Sequence, residues 1–246
     1  MKISFIGHGN MAKAMITGIL KSKLISENDI YISNSDVENQ SAVDFANYVF
    51  LTVKPNIYKH VTTKLVRTEN KVFITVAPGI KTTFMDAKVV RTMPNTPALV
   101  GEGVTSVCKG KDVTDAEFAF VKKLLETFST VYEVEESLMD YTIALSGSSP
   151  AYLYLFVEAI AKHGAKTGIN YEIAKKMAAQ TLLGSAKMLL ESEESPEKLC
   201  ADVCTKGGTT IKAVEKFRNL NFENIISQAM EACTTRALEM ADEYKD

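Results

Sequence analysis

Two short stretches of this 246-residue chain carry the residue types from which anion chemistry is built. In "FIGHGNMA", Gly7, Gly9 and Ala12 follow an apolar run and open a helical pattern; in "DVCTKGGTTIKAVEKF", Gly207 and Gly208 precede another. A helix N-terminus offers unpaired backbone N–H groups and the positive end of the macrodipole, so each stretch can receive a negatively charged group. Gly7 lets the chain turn sharply out of a strand, and Gly9 brings bare backbone close to a phosphate. Ala12 only has to be small enough for helix and strand to pack closely. With a strand before it and a helix after it, this pattern predicts a dinucleotide pyrophosphate site; an ordinary tight turn between strand and helix is the alternative. At the second stretch the amides of Gly208, Thr209 and Thr210 can point at an anion, with the Thr205 and Thr210 hydroxyls and Lys206 nearby. That set suits a carboxylate, and a plain loop cap is the alternative.

Cofactor choice is read at the end of the second strand, "DIYIS", where an acid commonly binds the ribose hydroxyls of NAD. Here Ser33, Asn34 and Ser35 are neutral, and the acid is deferred to Asp36. Neutral donors accommodate a phosphate, which favours NADPH while leaving NADH possible, although no arginine is at hand to clamp it. His8 and Asn10 lie near the phosphates. No metal is expected, since His8 has no partners and the cysteines show no ligand spacing. The four cysteines and three histidines suit a reducing cytoplasm, with Cys200 and Cys204 sharing a helical face as buried small hydrophobes. "RTMPNTPALVGEG" can form a stiff wall where a nicotinamide would lie, and "VKP" follows the third strand directly.

These groups have to be positioned by something. Residues 1–135 alternate short β-rich runs with helical patterns: "KISFIG", "DIYIS", "NYVFLTV", "KVFITVA", "VVRTM", "GVTSVCKG" and "TVYEVE". Such alternation predicts an α/β, doubly wound parallel sheet of the Rossmann type, with a capping box at Thr114 and Glu117 opening its last helix. From residue 136 the character changes, and nothing from Ala151 onward reads as a strand. Apolar stripes recur at helical spacing: Tyr152, Leu155, Phe156, Ala159, Ile160 and His163; then Met177, Ala178, Thr181, Leu182, Ser185, Met188 and Leu189; then Ile226, Ala229, Met230, Cys233, Ala237 and Met240. Ser195 and Pro196 cap and start a further helix. Residues 136–246 therefore read as an all-helical domain too apolar to be solvated all round, to be covered by a second subunit or by packing within the chain. Hydrophobic residues make up 46% of the chain and the formal net charge is −2, so the expected partner is a small molecule rather than nucleic acid or an anionic membrane. No apolar run approaches membrane-spanning length, and the N-terminus has no leader pattern.

Taken in order, "FIGHGNMA", "FLTVKP", "VVRTMPNTPALVGEGVT", "ALSGSSPAY" and "KGGTTI" resemble the pyrroline-5-carboxylate reductases over nearly the whole chain. The resemblance implies NAD(P)H-dependent reduction of 1-pyrroline-5-carboxylate to L-proline, the last step of proline synthesis, by a Rossmann domain joined to a helical domain that interlocks into a dimer or higher assembly. It places Ile6, Gly7, His8, Gly9, Asn10 and Met11 at the pyrophosphate, Asn34 at the adenosine phosphate and Asn39 at the adenosine half. Val53, Lys54 and Pro55 would line the nicotinamide ribose, with Ala77 and Asn95 near the ring. Thr205, Gly208, Thr209 and Thr210 match the substrate-carboxylate loop, Thr210 also hydrogen-bonding the ring nitrogen, and Glu136 and Glu193 match acidic positions near substrate or cofactor.

Ser149, Lys206 and Pro78 depart from the residues usual in that family. Between Asn34 and Asn39 the family carries a further helix and strand that this sequence does not show, and a smaller shortfall falls between Ile80 and Val89; either the protein is trimmed there or this sequence omits residues. Residues 33–47 still suffice for one short crossover helix, since a βαβ connection needs about ten to twelve residues. Two other readings stay open: a β-hydroxyacid-type dehydrogenase with a lysine acid or base among Lys162, Lys166, Lys175, Lys176 and Lys187, and a non-catalytic NADPH-binding module.

Overall fold

A computed structural model describes residues 1–243. Among them β1 (Ile3–Ile6), β2 (Ile30–Ser33), β3 (Tyr48–Leu51), β4 (Val72–Thr75), β5 (Lys88–Pro94), β6 (Gly103–Lys109) and β7 (Ser129–Glu133) form one sheet in the order β2-β1-β3-β4-β5-β6-β7. All seven strand-like runs of the sequence are strands. The first five are co-directional, but β6 runs antiparallel to β5, and β7 is parallel to β6. The expected doubly wound sheet is thus mostly parallel, with one reversal between β5 and β6. A parallel return needs a crossover of about a dozen residues or more, whereas residues 95–102 make only a tight helical turn at Thr96–Val100.

Alternation along the strands divides the core in two. Ile3, Phe5, Phe50, Val72 and Ile74 face α1 (Asn10–Ser22) and α4 (Asp115–Leu125), while Ile6, Val49, Leu51 and Phe73 face α2 (Asp36–Phe45) and α3 (Tyr58–Thr62). Apolar residues on both faces are what a sheet covered by helices requires. Phe5 and Phe50 stack with ring centroids 4.7 Å apart. The Thr114–Glu117 capping box is present at α4. Between β4 and β5 the described chain crosses without a helix. Thr82 instead donates its backbone N–H (2.6 Å) and its hydroxyl (2.7 Å) to the two Glu136 oxygens.

By its contacts the chain divides into two compact units, Met1–Pro150 with Glu231–Asp246, and Ala151–Met230. Past β7 the described residues hold no further strand. They form α5 (Ser149–Lys166), α6 (Tyr171–Glu191), α7 (Pro196–Asp202), α8 (Thr209–Asn219) and α9 (Phe222–Glu243). Ser195 caps α7 by accepting from the Lys198 N–H at 3.1 Å, and Asn170 caps α6 by accepting from Glu172 and Ile173. In the second unit the predicted stripes are largely uncovered, with Leu155, Met177 and Met188 each more than half exposed. In the first unit Ala237 and Ala241 of α9 are buried, and Gly79 is there for close approach: at φ +75°, a Cβ on it would sit 2.9 Å from the Ala241 Cα.

One expectation about length is corrected. A π-helical turn, Ile143–Gly147, runs straight into α5, so Ile143–Lys166 is a 24-residue helical run in which an 18-residue window reaches a mean hydropathy of 1.2, long and apolar enough to cross a membrane by length and composition. The polar "SGSSP" interrupts the apolar run in sequence but not the helix, because the Ser148 N–H reaches back to the Ile143 carbonyl at 2.7 Å.

Candidate active site

The residues expected to hold a dinucleotide stand at one end of the sheet. Ile6 to Met11, Asn34, Val53, Lys54, Pro55, Ala77 and Asn95 lie at or just past the carboxyl ends of the co-directional strands, and Asn39 lies in the first half of α2. The strand order reverses at β1, whose successors β2 and β3 lie on opposite sides of it. In open α/β sheets, ligands bind in the crevice at such a switch point. Gly7 occupies the seam. Its N–H donates to the Ser33 carbonyl at 3.0 Å, its carbonyl accepts from the Thr52 hydroxyl at 2.8 Å, and its φ of +98° is one that L side chains rarely adopt.

Gly9 differs in kind. It is the N-cap of α1 with ordinary extended backbone, and nothing lies within 4 Å of where its Cβ would be. No side chain caps α1 and no acid stands in its first turn, which leaves the helix tip bare. A bare helix tip beside open volume fits a pyrophosphate. The walls behind it are fixed by a buried network: the Tyr58 hydroxyl donates to the Leu51 carbonyl, Thr75 donates to that hydroxyl at 3.1 Å, and Thr92 donates to the Thr75 carbonyl at 2.8 Å. Burial raises the Tyr58 pKa beyond the usual tyrosine range, so this hydroxyl remains a neutral donor. Asn95 is 6% exposed, donates to the Ser146 carbonyl at 3.0 Å and accepts from the Val104 N–H at 2.9 Å. Both ends of its amide are thereby engaged in holding the strand end. Asn39 similarly accepts from the Ser33 hydroxyl at 2.7 Å.

In the second unit, Gly207 turns the chain at φ +76° and Gly208 is the N-cap of α8, again without a side-chain cap or an acid in the first turn. A Cβ on Gly208 would meet the Thr205 Oγ1 at 2.5 Å, so glycine is what lets the Thr205 hydroxyl lie against the loop. Thr205, Lys206, Thr209 and Thr210 are exposed around the amides of this eleven-residue helix. The glycine-opened helix tip that the carboxylate reading calls for is therefore present in the second unit.

Comparison with known proteins decides the family. Residues 136–240 match the family model for pyrroline-5-carboxylate reductase dimerisation. The pyrroline-5-carboxylate reductase of Escherichia coli (strain K12) is 34% identical over 260 positions, covering 96% of this chain and 97% of that one. That of Haemophilus influenzae is 37% identical over 262 positions, covering 97% of each. The chain belongs to the pyrroline-5-carboxylate reductase family. Among solved structures, the Plasmodium falciparum pyrroline carboxylate reductase with NADP bound superposes with a TM-score of 0.88 at 27% identity, covering 98% of both chains. The Streptococcus pyogenes 1-pyrroline-5-carboxylate reductase gives 0.84 at 32%, covering 96% of this chain and 98% of that one.

Within this pyrroline-5-carboxylate reductase fold, two acids read from sequence have different surroundings. Glu136 is clamped in the first unit by Thr82, with both oxygens taken; Glu193 is exposed in the link between α6 and α7. Lys162 and Lys175, candidates for a lysine acid or base, pair on the surface with Glu158 and Glu172. Cys200 and Cys204 are only partly buried, contrary to the expectation. The last turn of α7 and the residues after it form an edge of the unit, which spacing does not reveal. Sequence reasoning missed three features. Thr52 ties the glycine turn to β3. Arg91 and Asp140 form a buried ion pair at 0% and 9% side-chain exposure. His60 and Lys64 gather at Asp36. An arginine inside a strand otherwise reading "VVRTM" was the available signal for the second.

Proposed function

We propose that this chain reduces 1-pyrroline-5-carboxylate to L-proline with NADPH, and that the full-length relationship to reductases of that name, with both glycine-opened helix tips intact, carries the reading. NADPH supplies a hydride, and a protonated cyclic imine needs only that hydride on its carbon. The protein's task is to hold the two in near-attack contact, roughly 3–3.5 Å between reacting atoms. Gly7, Gly9 and the first-turn amides of α1 take the pyrophosphate, Asn34 and Asn39 serve the adenosine half, and Val53, Lys54, Pro55, Ala77 and Asn95 form the nicotinamide side. Thr205, Gly208, Thr209 and Thr210 take the substrate carboxylate, with Lys206 adding charge, and the Thr210 hydroxyl orients the ring nitrogen. Because Glu136 is held by Thr82, its role is to set the crossover between β4 and β5 rather than to shift protons.

Residues 136–246 form the domain through which two copies associate. The match to a dimerisation family model and the uncovered apolar stripes of α5 and α6 support this, and they give the apolar run Ile143–Lys166 a use in protein contact. Four cysteines without a disulfide among the described residues support a cytoplasmic location. The test is direct: purified protein is mixed with pyrroline-5-carboxylate and NADPH or NADH, and loss of reduced-cofactor absorbance is followed. Turnover to proline is expected, faster with NADPH; binding of NADPH without turnover would leave only a cofactor-binding module.

A further inference from the structure

Three polar side chains that neither glycine tip uses, Asp36, His60 and Lys64, meet at the start of α2. Asp36 Oδ2 accepts from Lys64 Nζ at 2.7 Å and lies 2.7 Å from His60 Nε2, while Lys64 Nζ and His60 Nε2 are themselves 2.7 Å apart. This triangle is one bond short. A ring nitrogen carries either a hydrogen or a lone pair. With a hydrogen, Nε2 donates to Asp36 but turns an N–H at the lysine ammonium; without one, it accepts from Lys64 but sets a lone pair against the carboxylate. In either state one side of the triangle repels. An anion with several acceptor oxygens resolves the conflict by taking Lys64 and the imidazole N–H together.

The position suits one such anion. Asp36 stands two residues past Asn34, at the carboxyl end of the edge strand β2, where dinucleotide folds carry the adenosine ribose. His60 and Lys64 come from 24 and 28 residues further on, and α2 and α3 share one face of the sheet, the chain having only a single helix between β2 and β3. The alignment with the Escherichia coli relative, at 260 positions, is longer than this chain, so the relative carries residues that this chain lacks. All three side chains are about half exposed, at 49%, 57% and 52% for Asp36, His60 and Lys64. The other carboxylate nearby, Glu38, is occupied by accepting from the Asn34 N–H at 3.0 Å.

We propose that Lys64 and His60 are specificity-determining residues that receive the 2′-phosphate of NADPH, with Asp36 holding them in place until the cofactor displaces it. The inference rests on the reading of this chain as an NADPH-dependent reductase. It replaces the arginine clamp that the sequence lacks with a lysine–histidine pair, and it explains why an acid near the ribose does not turn the site to NADH. Lys64 balances the charge of Asp36 when the site is empty, and Lys64 and the imidazole N–H turn to the phosphate when the cofactor arrives.

Calorimetric titration of NADP⁺ and NAD⁺ into the full-length protein tests this without turnover. Lys64→Ala should weaken NADP⁺ by about tenfold or more, the loss expected of a charge-assisted bond, and leave NAD⁺ within about twofold. Asp36→Asn, which frees Lys64 and the imidazole, should tighten NADP⁺ and leave NAD⁺ unchanged. An equal change for both cofactors in Lys64→Ala would reduce the cluster to a structural tie and overturn the proposal. So would loss of NAD⁺ binding in Asp36→Asn, because Asp36 would then be the acid on the ribose hydroxyls. If wild type binds no NADP⁺ at all, the functional reading itself fails, an outcome separate from the other two.

Discussion

Gly7 and Gly9 sit two residues apart, yet alanine should do opposite things at them. At Gly7 the backbone stands at φ +98°, and an added Cβ would meet the Val53 Cγ1 at 2.9 Å and the Thr52 carbonyl carbon and oxygen at 3.0 Å. The valine can move, but the Thr52 backbone belongs to the β1–β3 seam and cannot. Holding alanine there costs about 1–3 kcal/mol in backbone strain. Parting the seam weakens the bond from the Thr52 N–H to the Ile6 carbonyl, about 1 kcal/mol more. Gly7→Ala should therefore lose about 2–4 kcal/mol, a fall in Tm of roughly 5–15 °C for a chain of this size. At Gly9 φ is −77° and no atom lies within 4 Å of the new methyl. Gly9→Ala should then unfold within about 0.5 kcal/mol of wild type. Its methyl nevertheless enters the space claimed for pyrophosphate, so NADP⁺ affinity should fall about tenfold to a hundredfold, the worth of a hydrogen bond to a charged group. Paired thermal melts and calorimetric titrations separate the two effects. Wild-type NADP⁺ affinity in Gly9→Ala would falsify the pyrophosphate assignment, and a wild-type melt for Gly7→Ala would refute the strain argument.

Three further outcomes are expected. Thr210→Ala should lower kcat while leaving NADPH affinity nearly intact; steady-state kinetics showing equal loss of both would make the α8 loop merely structural. Asp140→Leu strands the buried Arg91, whose Nε and one terminal nitrogen already lack partners among the described residues, and should cost about 3–5 kcal/mol by denaturant unfolding. The double change Arg91→Leu with Asp140→Leu should recover most of that loss, and failure to do so would mean the pair is not the source. Burial, with the Glu136 charge behind it, pushes the Cys108 thiol up to about 12 from the 9.0 of an exposed thiol. Since the folded state favours the neutral thiol, its contribution is intact below pH 9 and lost as pH rises towards 12. Cys108→Ala should flatten part of the alkaline limb of an unfolding curve, the remainder coming from Tyr58, which burial also raises; an unchanged limb would rule the thiol out.

The strands were legible because each is a short apolar run with a turn signal behind it, and the Thr114 and Ser195 caps because their partners lie within three residues. The glycine tips could be read for the same reason: strand, turn and helix are consecutive. Direction was harder. The reversal at β6 depends on residues 95–102 being too short for a crossover, a matter of length rather than of residue type. The π-helical turn that carries Ile143 into α5 breaks the usual period just where serine and glycine suggest a stop. Long-range polar pairs were not legible at all. Thr82 with Glu136 and Arg91 with Asp140 are 54 and 49 residues apart, and nothing local in any of the four announces its partner. The Asp36 cluster was not legible either, because His60 and Lys64 arrive from beyond β3, 24 and 28 residues away.

The fit of the last helix against Gly79 also bears on how the protein is made. Ala241 is among the last described residues, yet its backbone fills the space beside a loop that leaves the ribosome far earlier. Translation delivers the sheet first, with Gly79 uncovered and the Met93–Cys108 side of the core lacking Ala237. A chain cut after Pro150 would leave that apolar seam open, so the sheet unit draws part of its core from residues that follow the second unit in sequence.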